Sequence, residues 1–223
     1  MSPIRFPISN SLPSKILVVV AHPDDEVLGC GATIARFAEE GCAVRVLLAL
    51  QCSESNGRRT WLEMLESFRQ SCELLGADAV VADPLVPERN AESELHLLHD
   101  AILPHIEWCD TVLSHWVGDT HQAHRSVARA VELGTRPFRR RRQVLAFEVG
   151  SSTDQSFGPH FAANSFVISE ERHVELKNEA LKLYCTEYVP GRTPRDVQRR
   201  MEFRGSEIGV EFAEAFVIGR MFF

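Results

Sequence analysis

Short runs of uninterrupted apolar residues alternate with longer stretches of helical periodicity along the whole chain. Lys15 to Ala21 (KILVVVA) is β-branched and continuously apolar, the pattern of a strand buried on both faces. Val27 to Glu40 follows as a helix, apolar at Leu28, Ile34, Phe37 and Ala38 and stopped by Gly41. Val44 to Leu50 (VRVLLAL) predicts a second buried strand, and Arg58 to Leu75 a helix ended by Gly76. Further on come a short strand at Ala79 to Ala82 and a helix at Glu92 to Trp108 that Pro104 disturbs. Thr111 to His115 predicts the fourth strand, and His124 to Leu133 a helix closed by Gly134. Val144 to Val149 and Ser165 to Ser169 read as strands, and Glu171 to Tyr184 as a helix. Pro194 to Gly219 reads as mostly helical around Gly205 and Gly209. No internal repeat or low-complexity tract interrupts the pattern, so residues 1–223 are taken as a single domain.

Alternation of this kind predicts an α/β fold: a mostly parallel sheet with helices on both faces and right-handed crossovers. Ligands in such sheets bind beyond the carboxyl ends of the strands, so chemistry is to be sought directly after each strand. The first strand ends in Ala21-His22-Pro23-Asp24-Asp25-Glu26, an imidazole and three carboxylates within five residues. Crowding like this costs repulsion and desolvation unless a positive charge lies among the carboxylates, and a divalent cation is the simplest one. Histidine with carboxylate suits zinc, iron or a similar metal, whereas magnesium and calcium prefer all-oxygen shells. After the fourth strand the loop Gly118-Asp119-Thr120-His121-Gln122-Ala123-His124-Arg125 brings an H-x-x-H pair to a helix start. His22, Asp25 and His124 would make a three-ligand site with one coordination position open, the catalytic arrangement for zinc. The carboxylate of Asp24, left uncoordinated, could take a proton from water made acidic by the metal. An Asp-Asp pair at a helix start can also be simple charge complementarity with the helix dipole. The second histidine cluster, one strand away, favours the metal.

Composition adds exclusions. The 223 residues are 44% hydrophobic and 25% charged, ordinary for a globular chain. A net charge of −7 makes unaided nucleic-acid binding a poor expectation. No run approaches the roughly 20 apolar residues of a membrane span, so no membrane attachment is expected. Met1 to Pro13 lacks the layout of a signal peptide. The six cysteines are scattered without a C-x-x-C pair and read as reduced, which suggests a cytoplasmic protein. Gly29-Cys30-Gly31 resembles the opening of a dinucleotide fingerprint, but Ile34 stands where the third glycine belongs, and the carboxylates before it would repel a pyrophosphate. His96, His99, His105, His160 and His173 are taken as surface residues, and Arg136 with Arg139 to Arg142 as a solvated connection. Gln51 to Arg59 and Ser151 to Ala163 leave strands and are expected to wall the pocket, with Trp116 beside His115 a candidate sugar platform.

The segment Lys15 to Leu50, with AHPDDEVLGCGATIAR at its centre, closely resembles the PIG-L (LmbE-like) deacetylases. The resemblance continues at Gly118 to Arg125, at Leu145 to Ser152 (LAFEVGSS), and at Arg204-Gly205 and Ala213 to Val217, and so spans nearly the whole chain. It implies a Rossmann-like three-layer α/β/α sandwich and a zinc-dependent enzyme that removes N-acyl groups, usually acetyl from an N-acetylglucosamine unit. Iron or another divalent transition metal could replace zinc. By the same resemblance His22, Asp25 and His124 are metal ligands, Asp24 is the general base, and His121 assists the tetrahedral intermediate. A protonated His121, its pKa raised, is then expected to hold the oxyanion. Two departures stand out. The residue before the third ligand is often Asp in the family and is Ala123 here, leaving either no carboxylate behind the site or Asp119 in its place. The subgroup resembled by the C-terminal half frequently has Asn where this chain has His121. The expected partner is a soluble N-acetyl amino sugar or its conjugate. An amidase for another N-acylated small molecule, such as a thiol precursor or natural-product sugar, and a decayed sugar-binding protein are the alternatives. Oligomeric state is left open, a homo-oligomer included.

Overall fold

The computed structural model describes residues 13–52, 59–184 and 189–222. The reading of Met1 to Pro13, Pro13 itself excepted, most of the Gln51 to Arg59 wall and Cys185 therefore lie outside the described residues. The strands are β1 (Lys15–Val20), β2 (Ala43–Gln51), β3 (Asp78–Pro87), β4 (Thr111–His115), β5 (Gln143–Phe147), β6 (Ser165–Ser169) and β7 (Phe212–Arg220). The helices are α1 (Asp25–Glu39), α2 (Trp61–Leu74), α3 (Leu95–Trp108), α4 (Gln122–Gly134), the short α5 (Gly150–Thr153), α6 (Glu171–Lys182) and α7 (Pro194–Ser206). The strands form one sheet in the order β3-β2-β1-β4-β5-β7-β6, parallel from β3 to β5 and antiparallel on both sides of β7.

Both faces of the sheet are covered, which is why β1 is apolar at every position after Lys15. Ile16, Val18 and Val20 pack with residues of α1, α2 and α6, whereas Leu17 and Val19 pack with residues of α3 and α4. This is the α/β sandwich that the alternation predicts. Strand order reverses between β1 and its two neighbours, β2 on one side and β4 on the other. The crevice beyond the carboxyl ends of β1 and β4 is thus the topological switch point where α/β folds bind ligands. None of the described helices is long and apolar enough to cross a membrane. Five cysteines, Cys30, Cys42, Cys52, Cys72 and Cys109, are free thiols.

Several expectations need correction. The helix expected over Pro194 to Gly219 ends at Ser206; Gly209, at φ 75°, turns the chain back and Phe212–Arg220 runs as β7 between β5 and β6. The Ala-Glu-Ala run at its start favours a helix locally, but an unfilled place in the sheet decides otherwise. β3 is longer than Ala79 to Ala82 and pairs with β2 on either side of an irregularity. The helix expected from Glu92 starts at Leu95, after a 3₁₀ turn at Glu88–Asn90. Gly29-Cys30-Gly31 lies inside α1, not in a loop. A Cβ on Gly29 would come within 2.3 Å of the Phe147 ring, so glycine here permits close helix-to-strand contact. His173 is buried rather than superficial: its Nδ1 accepts the Glu170 amide N–H at the start of α6, and its Nε2 meets Glu39 at 2.8 Å. The arginine run is partly engaged, Arg142 donating to the Ile106 and Glu107 carbonyls at the end of α3 and Arg140 pairing with Glu107.

Candidate metal centre and active site

The turn from β1 into α1 is held in an unusual conformation. Asp24 has φ 111°, a left-handed backbone that L residues rarely adopt. Its amide N–H donates to Glu26 Oε2 at 3.1 Å, while its carbonyl accepts from Val27 and Leu28. Glu26 is fully buried and also receives the Ser71 and Tyr184 hydroxyls, each at 2.7 Å. Burial pushes its carboxyl up to about 7. Glu26 therefore serves the turn from inside the core.

Asp25 turns back so that its Oδ2 accepts the His22 amide N–H at 2.8 Å and lies 3.2 Å from His22 Nδ1. From the start of α4, His124 Nε2 reaches to 3.3 Å from both Asp25 Oδ1 and His22 Nδ1. The donor atoms of His22, Asp25 and His124 all lie within 4.8 Å of one another. Oδ1 of Asp25 is buried and accepts no hydrogen bond from the described residues. Although burial disfavours its charge, the His124 imidazole foremost holds the Asp25 carboxyl well below the usual range. An ionised carboxylate with an unpaired oxygen between two imidazoles suits a divalent transition metal.

Carboxylates outside this triad hold its rings. His124 Nδ1 lies 3.3 Å from Asp119 Oδ2, which also accepts from Ser152 Oγ at 3.0 Å and Thr153 Oγ1 at 2.6 Å. Burial works against the Asp119 charge, but His124 and Thr153 keep its pKa down at about 2. Asp119, not Ala123, is thus the carboxylate behind His124; Ala123 is buried in the apolar layer beneath α4. His22 has its own carboxylate, Glu88 of the 3₁₀ turn, whose Oε1 is 3.2 Å from His22 Nε2. Burial lowers the His22 pKa, yet Asp25 and Glu88 outweigh it and hold the ring up at about 10.

Sequence reasoning missed Glu88, His115 and Arg192. Glu88 follows a strand whose end it placed too early. His115 was noted only as the last residue of β4, yet it stacks on His124 with centroids 4.0 Å apart. Its Nε2 accepts the Ala21 amide N–H at 3.0 Å, tying the end of β4 to the end of β1. Burial and the neighbouring His124 bring its pKa down to about 4, so it remains a neutral acceptor.

Asp24 stands beside the triad without joining it. Arg192 Nη1 donates to Asp24 Oδ2 at 3.0 Å and its Nε donates to Ser151 Oγ at 2.7 Å. Burial and the Asp25 charge raise the Asp24 carboxyl to about 7, with Arg192 opposing. His121 is the N-cap of α4: its amide N–H donates to Asp119 Oδ1 at 2.7 Å, and its Nδ1 accepts the Ala123 amide N–H at 3.3 Å. The expectation of a raised His121 pKa fails. Burial, with His22 and His124 close by, lowers it. Because Nδ1 is the acceptor, a neutral His121 carries its proton on Nε2 and remains a hydrogen-bond donor. Trp116 packs edge-on against Phe161, with ring centroids 5.8 Å apart.

The family model for GlcNAc-PI de-N-acetylase, PIG-L, matches residues 17–133. The chain belongs to the PIG-L family. The match includes every side chain of the donor triad, Asp24, Glu88, Asp119 and His121. An uncharacterized deacetylase of Escherichia coli K12, YaiS, is 27% identical over 173 residues, covering 75% of this chain and 88% of its own. A 1D-myo-inositol 2-acetamido-2-deoxy-alpha-D-glucopyranoside deacetylase of Kineococcus radiotolerans is 60% identical over 37 residues, only 17% of this chain and 10% of that one. Among solved structures, the A40926 pseudoaglycone deacetylase Dbv21 superposes with a TM-score of 0.74 at 18% identity, covering 91% of this chain and 96% of its own. At that identity the likeness is one of fold.

Proposed function

We propose that this PIG-L member is a metal-dependent hydrolase that removes the acetyl group from an N-acetylated amino sugar or its conjugate. The observation that carries the reading is the His22–Asp25–His124 donor set with Asp24 beside it and outside it. A divalent metal there, zinc being the first expectation, supplies Lewis-acid polarisation of an amide carbonyl and makes nearby water more acidic. Asp24 accepts the proton of the attacking water and passes it to the departing amine, so amide and water become acetate and free amine. Its carboxyl, raised to about 7, suits both halves of that transfer at neutral pH. Arg192 restrains Asp24 while leaving its second oxygen available. His121 offers its Nε2–H to the developing oxyanion, and as a neutral donor it needs no proton of its own. A neutral imidazole at a helix N-terminus acting on a carbonyl has precedent in triosephosphate isomerase. The sugar class draws support from the acetylated sugar named for the Kineococcus relative, whose similarity covers a short segment.

Metal content and acetate release test the reading together. Wild-type protein purified without chelator should carry about one metal per chain and release acetate from part of a panel of N-acetylglucosamine conjugates. Asp25→Ala should lose the metal. Asp24→Asn should keep it and lose roughly 10²- to 10⁴-fold in kcat, the usual worth of a general base. A wild type that takes up no zinc even when supplied, or an Asp24→Asn of undiminished rate, would sink the proposal.

A further inference from the structure

The Glu88 carboxylate stands between two imidazoles. Its Oε1 is 3.2 Å from Nε2 of His22 and 3.7 Å from Nε2 of His121. The two rings meet edge-on, their centroids 4.7 Å apart. Each ring has its other nitrogen committed elsewhere. His22 Nδ1 faces the donor set, 3.2 Å from Asp25 Oδ2, and His121 Nδ1 accepts the Ala123 amide N–H. The nitrogen that His22 turns to Glu88 is the one left with an N–H when Nδ1 faces a metal. It is buried, 3.2 Å from Glu88, and without a well-aligned hydrogen bond among the described residues. His121, at 3.7 Å, is beyond hydrogen-bond reach and keeps its Nε2–H for the oxyanion. His124 is backed in the same way by Asp119 through its own outer nitrogen.

We infer that Glu88 is a positioning residue for His22, the acceptor that holds the Nε2–H tautomer and ring orientation of that metal ligand. The inference rests on the hydrolase reading above. A metal-bound imidazole almost always donates its free N–H to a carboxylate or carbonyl, and loss of such a partner weakens metal binding about 10- to 100-fold. Glu88 lies far from both histidines in the chain, at the end of β3, and its carboxylate is only partly exposed, at 27%. The same three side chains could be imagined holding a second cation, their donor atoms lying within 4.8 Å of one another. His22 would then ligate through both ring nitrogens and would have to lose its last N–H proton. A carboxylate accepting from that N–H needs no such loss.

The test compares wild type with Glu88→Gln and Glu88→Ala, each loaded with Co²⁺ under chelator competition. Glu88→Ala should bind Co²⁺ at least about 10-fold more weakly, and Glu88→Gln, which keeps a neutral acceptor, should fall between. The graded order of wild type, Glu88→Gln and Glu88→Ala is the readout that mere loss of packing would not move, because glutamine fills the same space. Thermal unfolding of the metal-free variants checks that they fold. Unchanged Co²⁺ affinity in Glu88→Ala, or a Glu88→Gln as weak as Glu88→Ala, would overturn the role given to Glu88. Two Co²⁺ per wild-type chain and one in Glu88→Ala would also overturn it, making Glu88 a ligand of a second ion. Failure of the wild type to bind Co²⁺ would instead bring down the hydrolase reading and this inference with it.

Discussion

Asp119 shows how one carboxylate can set several side chains at once. It receives the His121 amide N–H on one oxygen and the Ser152 and Thr153 hydroxyls on the other, which also faces His124. Asp119→Asn keeps the shape but puts an amide where His124 and two hydroxyls expect a charge. The variant should bind zinc about 10- to 100-fold more weakly while Asp24 chemistry is untouched at saturating metal. Zinc titration against kcat checks this; a loss of kcat that saturating zinc does not restore would contradict it. His22, Asp24, Asp25, His121 and His124 were legible because they sit in two contiguous motifs directly after apolar strands. Glu88 and His115 were not. Each gains its meaning from a neighbour on another strand, and the linear pattern carries no record of which strands lie side by side.

At the scale of elements, the missed strand explains an irregular helix. α1 departs from helical geometry at Cys30, with φ −150° and ψ 28°, which frees backbone groups in mid-helix. Lys177 of α6 donates to the Leu28 carbonyl at 3.2 Å, and Glu214 of β7 accepts the Ala32 and Thr33 amide N–H groups at 3.2 and 2.7 Å. Lys177 and Glu214 pair with each other at 2.5 Å, both buried. The break is thus repaired by one ion pair, and it lies one turn beyond the Asp24–Asp25 segment. A charged residue in a helix-favouring run gave no sign of this, because a buried charge in a strand makes sense only once its partner is known. Lys177→Met should destabilise the fold by about 3–5 kcal/mol by leaving the Glu214 charge buried without its partner. Urea unfolding should show that Lys177→Met combined with Glu214→Gln costs less than the two single changes summed. Strict additivity would mean that the pair does not act as a unit.

For the molecule as a whole, the parallel half of the sheet was readable from its apolar runs, and with it the rule that places chemistry beyond the strand ends. Strand order was not readable, nor was the antiparallel insertion of β7. The order matters because it makes β1 and β4 neighbours and so joins His22 and Asp25 to His124 across about a hundred residues of chain. A metal held by all three would bind the folded chain far better than the unfolded one, and its binding energy would appear as stability. At a free zinc concentration one hundred times the dissociation constant, the gain is about 2.7 kcal/mol. For a chain of this length that corresponds to a rise in Tm of roughly 5–10 °C at about 2–4 °C per kcal/mol. Thermal melts of chelator-treated protein with and without added zinc should show that rise in the wild type and lose it in Asp25→Ala. Because Asp119 lies behind His124 and outside the triad, Asp119→Asn should keep the full rise but reach it only at higher zinc. A rise of equal size and midpoint in all three proteins would mean that zinc acts elsewhere on the surface, and the switch-point crevice would lose its claim to the metal.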